Sequence, residues 1–233
     1  MLGGKRLLLD PRPVQTGGDY ETTGSAPTYQ ATVIADDVVG DRSAGSYEMR
    51  KLIMWNLITL DGYFEGEKNW DLPWGELVWG EELERFSLDQ LESADLLLFG
   101  RVTYEGMAAY WQAATGAIAD YMNSLPKVVC SRTLQTADWN NTTIVKDDVA
   151  KEVAALKQRG DGNMFVFGSA ILSKTLMNEG LFDEYRIGIA PVILGRGRLL
   201  FGDDLRPQGV TLLEARPLST GCTILRYEAD GVA

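Results

Sequence analysis

Three short apolar runs, each closing on glycine or serine, constrain this chain more than any other feature. They are Leu96-Leu97-Leu98-Phe99, Lys127-Val128-Val129-Cys130 and Met164-Phe165-Val166-Phe167, followed by Gly100-Arg101, Ser131-Arg132 and Gly168-Ser169. Four apolar residues are too few for an ordinary helix and suit a strand buried on both faces. Helical patterns follow the first and third exits. Strands alternating with helices imply an α/β fold with a central, mostly parallel mixed sheet and helices on both faces. In such sheets ligands bind beyond the carboxyl ends of the strands, so the three exits are expected on one rim.

The remaining elements fit around these runs. Residues 1–48 are rich in Gly, Pro, Ser, Thr and Asp, with a single short strand pattern at 31–39, and read as a poorly ordered extension. Met49-Arg50-Lys51 looks like the natural start of a domain covering 49–233, the earlier residues coming from an upstream start or an added segment. Residues 51–60 read as a strand closed by the turn pair Asp61-Gly62. Residues 65–79 read as a long loop carrying Trp70, Trp74 and Trp79, suited to the side of a pocket. Helices are expected at 81–93, 102–110, 117–125 and from Val149, where Asp147-Asp148 provides the cap and Gly160 the stop. A further helix runs to Asn178, and strands are expected at 142–145, 185–194, 210–214 and 222–227.

Composition removes several function classes. The net charge of -11 opposes binding to nucleic acid or an anionic membrane surface, while leaving room for a locally basic pocket. Histidine is absent, which excludes imidazole acid–base chemistry, Ser-His-Asp triads and His-based zinc sites; no metal is expected. Cys130 and Cys222 show no metal-ligand spacing and read as buried thiols rather than a disulfide. No apolar run approaches the roughly 20 residues that cross a bilayer. Together these favour a cytoplasmic protein with a small-molecule substrate.

A strand that ends in glycine and opens a helix leaves backbone N–H groups pointing outward, a natural seat for phosphate. Arg101 adds a forked cation there, and Thr103 a hydroxyl that either caps the turn or meets a phosphate oxygen. Taken singly, a strand–helix junction with a surface arginine explains Gly100-Arg101 equally well. Three such exits bring together two helix starts, Arg101 and Arg132, and the hydroxyls of Thr103, Ser131, Thr133 and Ser169. That inventory suits a ligand with separated phosphates: a pyrophosphate between the helix starts at Gly100 and Gly168-Ser169-Ala170, and a further phosphate near Arg132. NADPH has this charge pattern. The G-x-G-x-x-G fingerprint is missing and the order of elements differs from a Rossmann unit.

The same residues carry a family resemblance. Thr59-Leu60-Asp61-Gly62, Gly100-Arg101-Val102-Thr103-Tyr104-Glu105-Gly106 and Leu125-Pro126-Lys127-Val128-Val129-Cys130-Ser131-Arg132-Thr133-Leu134 come first. Val166-Phe167-Gly168-Ser169-Ala170, Gly180-Leu181-Phe182-Asp183-Glu184 and Ala190-Pro191-Val192-Ile193-Leu194-Gly195 follow in the same order. The domain resembles the dihydrofolate reductase-like superfamily, nearest to its riboflavin-biosynthesis reductase type, the RibD C-terminal domain. The resemblance implies a three-layer fold and an NADPH site in which Gly100, Arg101 and Thr103 bind cofactor phosphate. It puts Ser131, Arg132 and Thr133 by the adenosine 2'-phosphate, and Gly168, Ser169 and Ala170 at the pyrophosphate.

The implied activity is reduction of a flat heterocycle, as in 5-amino-6-(5-phosphoribosylamino)uracil reduction. Dihydrofolate reduction and a non-catalytic NADPH-binding module are the alternatives. With no histidine, the proton would come from a carboxylic acid or water. Glu76 lies near the substrate-binding acid position of dihydrofolate reductases after an insertion of one residue, and is otherwise a solvated carboxylate. Asp61 either reaches the pocket or only makes the Asp-Gly turn. Arg196 either meets a substrate phosphate or is a surface arginine. The resemblance leaves room for a homodimer through the last strands, of which the sequence gives no direct sign.

Overall fold

A computed structural model of the protein describes residues 50–230, so the expected N-terminal extension lies outside the described residues. Along these the chain forms β1 (Leu52–Thr59), β2 (Tyr63–Glu65), α1 (Gly75–Val78), α2 (Glu81–Glu92), β3 (Ala94–Gly100) and α3 (Arg101–Trp111). Then come α4 (Ala117–Ser124), β4 (Lys127–Cys130), β5 (Thr142–Val145), α5 (Val149–Lys157), β6 (Asn163–Phe167) and α6 (Ala170–Asn178). The last elements are β7 (Glu184–Ala190), β8 (Arg198–Leu199), β9 (Val210–Pro217) and β10 (Thr223–Ala229).

Eight strands make one sheet in the order β5-β4-β3-β6-β1-β7-β10-β9. From β5 to β7 every neighbouring pair is parallel. β10 then runs antiparallel to both β7 and β9, which makes the sheet mixed. β2 and β8 form a separate antiparallel pair. Parallel strands need crossovers, and the crossover helices cover both faces. Leu52, Met54 and Ile58 of β1 pack on one face with Val153 of α5 and Leu172 and Leu176 of α6. Ile53 points the other way, among Leu97, Phe99, Tyr104, Met122 and Trp139. This period-two division is what runs buried on both faces require. Leu97 and Phe165 are fully buried, and such burial stabilises by about 1.5–3 kcal/mol per side chain.

Lys127 heads the buried strand β4 because its ammonium is fully used there. It donates to the carbonyl oxygens of Asn123, Leu125 and Asn140 and lies 4.6 Å from the centre of the Trp139 ring. Burial pulls its pKa down to about 8. Cys130 and Cys222 are free thiols, the first half-buried and the second buried.

Three local expectations are corrected. The strand expected at 185–194 ends at Ala190, because Pro191 has no N–H to continue a ladder and the Val192 N–H turns back to the Ala190 carbonyl at 2.8 Å. The loop expected at 65–79 contains the short helix α1. Asp148 occupies the position before α5, but with φ 44 and no side-chain bond to the helix it does not cap it. Among the described residues no helix is long and apolar enough to cross a membrane.

Candidate functional site

At the carboxyl ends of the parallel strands lies a cleft of about 1660 Å³. All three strand exits reach its wall: Gly100, Arg101 and Thr103 after β3, Ser131 and Arg132 after β4, and Gly168, Ser169 and Ala170 after β6. β3 sits between β4 and β6 in the sheet, so the exits are neighbours. The topology thus gathers groups that are far apart in the chain.

The first and third exits are welded to each other. The Gly100 N–H donates to Ser169 Oγ at 3.0 Å, and the Ser169 N–H donates to Thr103 Oγ1 at 3.0 Å. Ser169 Oγ in turn donates to the Phe167 carbonyl at 3.1 Å. Gly168 and Ser169 have φ 59 and φ 58, two successive left-handed residues that turn the chain into α6. A methyl group at Gly168 would lie 3.2 Å from Thr103 Cγ2, a tight contact that adds to the strain a side chain would meet at this positive φ. Neither α3 nor α6 has a side-chain cap, and both begin on the cleft wall. Their first-turn N–H groups are therefore the anion-attracting feature of this half. The hydroxyls of Thr103 and Ser169 hold the exits in register; of the two roles the sequence offered Thr103, holding the turn or meeting a phosphate oxygen, its contact with the Ser169 N–H matches the first.

The cations of this rim differ in availability. Arg101 is paired with Glu105 one helical turn on at 2.9 Å, and Lys174 with Asp204 at 2.9 Å. Arg132 and Lys146, exposed at the ends of neighbouring strands β4 and β5, have no ion pair among the described residues. Lys146 was missed from the sequence because a lone lysine after a short strand carries no motif.

The other half of the cleft is aromatic. Trp55 and Leu57 of β1 form its floor, Ser87, Gln90 and Leu91 of α2 one wall, and Met107, Tyr110 and Trp111 of α3 another. Trp70, Trp74 and Trp79 come from the loop and helix above. The Trp70 indole lies directly on Gly106 of α3, where a methyl group would overlap it, and Trp70 itself has φ 65. Its N–H donates to Glu65 Oε2 at 3.0 Å, and Glu65 Oε1 pairs with Arg198 at 2.8 Å. The buried Glu65 therefore anchors this loop to the β2–β8 pair. Between the two halves the sheet splits: the β1–β6 ladder ends at Trp55↔Phe167, while β1 continues beside β7 to Thr59. Asn56 sits at that split, on the cleft wall.

Several expected site residues lie elsewhere. Asp61 is off the cleft wall, its carboxylate accepting from Thr59 Oγ1 at 2.6 Å and from the N–H groups of Leu194 and Gly195 at 3.1 and 2.7 Å. The Thr59 hydroxyl above all, and then these N–H groups, lower its pKa to about 2. Such a group has no proton to give near neutrality, and its place is the turn. Glu76 is exposed on α1 and also off the wall. Thr133 is off the wall too; its N–H donates to Ser131 Oγ at 3.2 Å within a local turn. Arg196 is a surface residue 3.8 Å from Glu67.

Comparison with known proteins follows this geometry. Residues 50–224 match the sequence profile of the RibD C-terminal domain. The uncharacterized protein YyaP of Bacillus subtilis (strain 168) is 29% identical over 189 residues, covering 79% of this chain and 97% of that protein. Among solved structures, a protein assigned to riboflavin biosynthesis from Shewanella sp. PV-4 superposes with a TM-score of 0.66 at 21% identity, over 77% of this chain and 99% of that one. A dihydrofolate reductase from Enterococcus faecalis, in complex with NADP(H), superposes with a TM-score of 0.52 at 14% identity, over 77% and 96%. The shared architecture is the dihydrofolate reductase-like α/β fold.

Proposed function

The chain belongs to the RibD C-terminal domain family, and from that premise we propose that it is an NADPH-dependent reductase of a flat heterocyclic small molecule. The observation that carries this reading is the convergence of Gly100, Ser131 and Gly168 on one cleft that continues into an aromatic chamber. The residues present fit the cofactor. Two uncapped helix starts, brought together by the Thr103–Ser169–Gly100 weld, suit a pyrophosphate. Arg132 and Lys146 suit the additional phosphate that distinguishes NADPH from NADH. The split between β1 and β6 leads from the phosphate half to the chamber.

The cofactor, when bound, supplies the hydride. The chain's own contribution is to hold the phosphates, orient the flat substrate between indoles and keep bulk water from the chamber. With Asp61 committed to its turn, Glu76 outside the cleft and Glu65 paired with Arg198 at its mouth, the described residues of the chamber wall offer no free carboxylic acid, and water is the proton source in this reading.

The test is a fluorescence titration with NADPH, then a screen for substrate-dependent loss of NADPH absorbance with dihydrofolate, the riboflavin-pathway aminouracil, flavins and quinones. Tight NADPH binding with turnover of one such ring supports the proposal. NADPH binding with no turnover across a broad panel would identify a binding module instead. Absence of NADPH binding refutes the assignment of the rim.

A further inference from the structure

We propose that the chamber selects an uncharged, unphosphorylated planar ring bearing a carbonyl oxygen, an inference that rests on the reductase reading for the neighbouring cofactor. Three observations point there. The first is charge. Among the described residues, the lining drawn from β1, α2, α4, the later turns of α3 and residues 70–79 carries no Asp, Glu, Lys or Arg; Arg101, at the start of α3, belongs to the phosphate half. The charges at its mouth, Glu65 and Arg198, neutralise each other, and Arg198 also donates to Asn69 Oδ1 at 2.5 Å. A phosphate brought into this half would lose its hydration and find no cation in exchange.

The second is shape. Trp55, Trp70, Trp74, Trp79 and Trp111 contribute flat indole surface from three separate segments, which favours stacking on a planar ring over packing of a branched one. The third is a set of unmade hydrogen bonds. Trp74 Nε1 and Asn56 Nδ2 belong to side chains that line the cleft and are 2% and 4% exposed, yet neither has an acceptor among the described residues. Buried donors are rarely left without partners, and both of these ask for an acceptor from a ligand. A ring carbonyl satisfies that need; a purely hydrocarbon ring does not. The chamber therefore differs in chemistry from a site for the phosphoribosyl substrate that the family resemblance suggests.

Lumichrome and riboflavin 5'-phosphate test this, because both carry a planar, carbonyl-bearing tricyclic ring and only the second carries a ribityl phosphate. Binding to the full chain is followed by tryptophan quenching and calorimetry, with NADP+ present and absent. Lumichrome should bind at least tenfold more tightly than riboflavin 5'-phosphate. Ser87→Arg, which adds a cation on the α2 wall, should narrow or reverse that preference. Trp74→Phe, which keeps the ring and removes the donor, should weaken lumichrome binding about tenfold. Equal or tighter binding of the phosphorylated ring by the parent chain overturns the inference, as does failure of both rings to bind while NADPH binds normally; the reductase reading survives that second result. If instead NADPH fails to bind and lumichrome keeps its preference, the chamber assignment stands and the cofactor assignment falls.

Discussion

Replacing Thr103 with valine keeps the shape of the side chain and removes one oxygen, the acceptor for the Ser169 N–H at 3.0 Å. Ser169 is 7% exposed, so its amide loses its partner without gaining water. An unmade buried bond of this kind costs about 1–3 kcal/mol. The same bond helps hold Ser169 at φ 58, a region that disfavours a residue with a Cβ by roughly 1–2 kcal/mol, so the exit relaxes once released. Part of the penalty is recovered by that relaxation. The expected net loss is about 1–2 kcal/mol, or roughly 2–8 °C in Tm for a domain of this size. Because the two helix starts lose their common register, NADPH affinity should fall about tenfold, which corresponds to about 1.4 kcal/mol. Thr103→Ser retains the oxygen and should restore most of both quantities. Thermal unfolding and NADPH titration of the two variants decide the matter. Parental Tm and affinity in Thr103→Val refute the weld altogether; lowered Tm with unchanged affinity shows that it supports the fold and not a cofactor.

Other consequences are equally direct. Gly106→Ala should displace the Trp70 indole and alter tryptophan emission, while global stability stays within about 1 kcal/mol of the parent because alanine favours the helix by a similar amount; an unchanged emission spectrum would falsify the Trp70–Gly106 contact. Arg132→Ala should weaken NADPH binding about tenfold and leave NADH binding nearly unaltered, since a charge-assisted bond to phosphate is lost; equal losses for both cofactors in paired titrations speak against Arg132 at the extra phosphate. Asp61 is held at a pKa of about 2 against an ordinary 3.8, so its folded-state value is depressed. Its stabilisation is present above about pH 4 and is lost as pH falls through about 2. Denaturation midpoints measured from pH 5 to pH 2 should therefore drop less steeply in Asp61→Asn, and parallel curves would show that Asp61 is not the titrating group.

Much of the fold was legible from the chain because its signals are local. Four-residue apolar runs such as Met164-Phe165-Val166-Phe167 can be satisfied only by burial on both faces, and a glycine exit marks where the next helix starts. The clustering of the exits also followed, since parallel strands place all their carboxyl ends on one side of the sheet. The errors arose where a side chain had several possible partners. Asp61 sits in a recognisable Asp-Gly turn, but the N–H groups of Leu194 and Gly195 that occupy its carboxylate come from the far side of β7. Glu76 matched a position by spacing alone, and the short helix α1 turns it to solvent.

The sequence by itself determined the order and type of the principal elements and which strand ends could bear an anion, because hydrophobic period and backbone geometry are set within a few residues. Tertiary structure decided what each polar atom does. The hydroxyls of Thr103 and Ser169 turn toward one another across 66 residues, and the chamber draws its indoles from segments that meet only when the sheet is built. Hydrogen bonding and desolvation act over a few ångströms in space, so their outcome is written in distances that a linear chain does not contain.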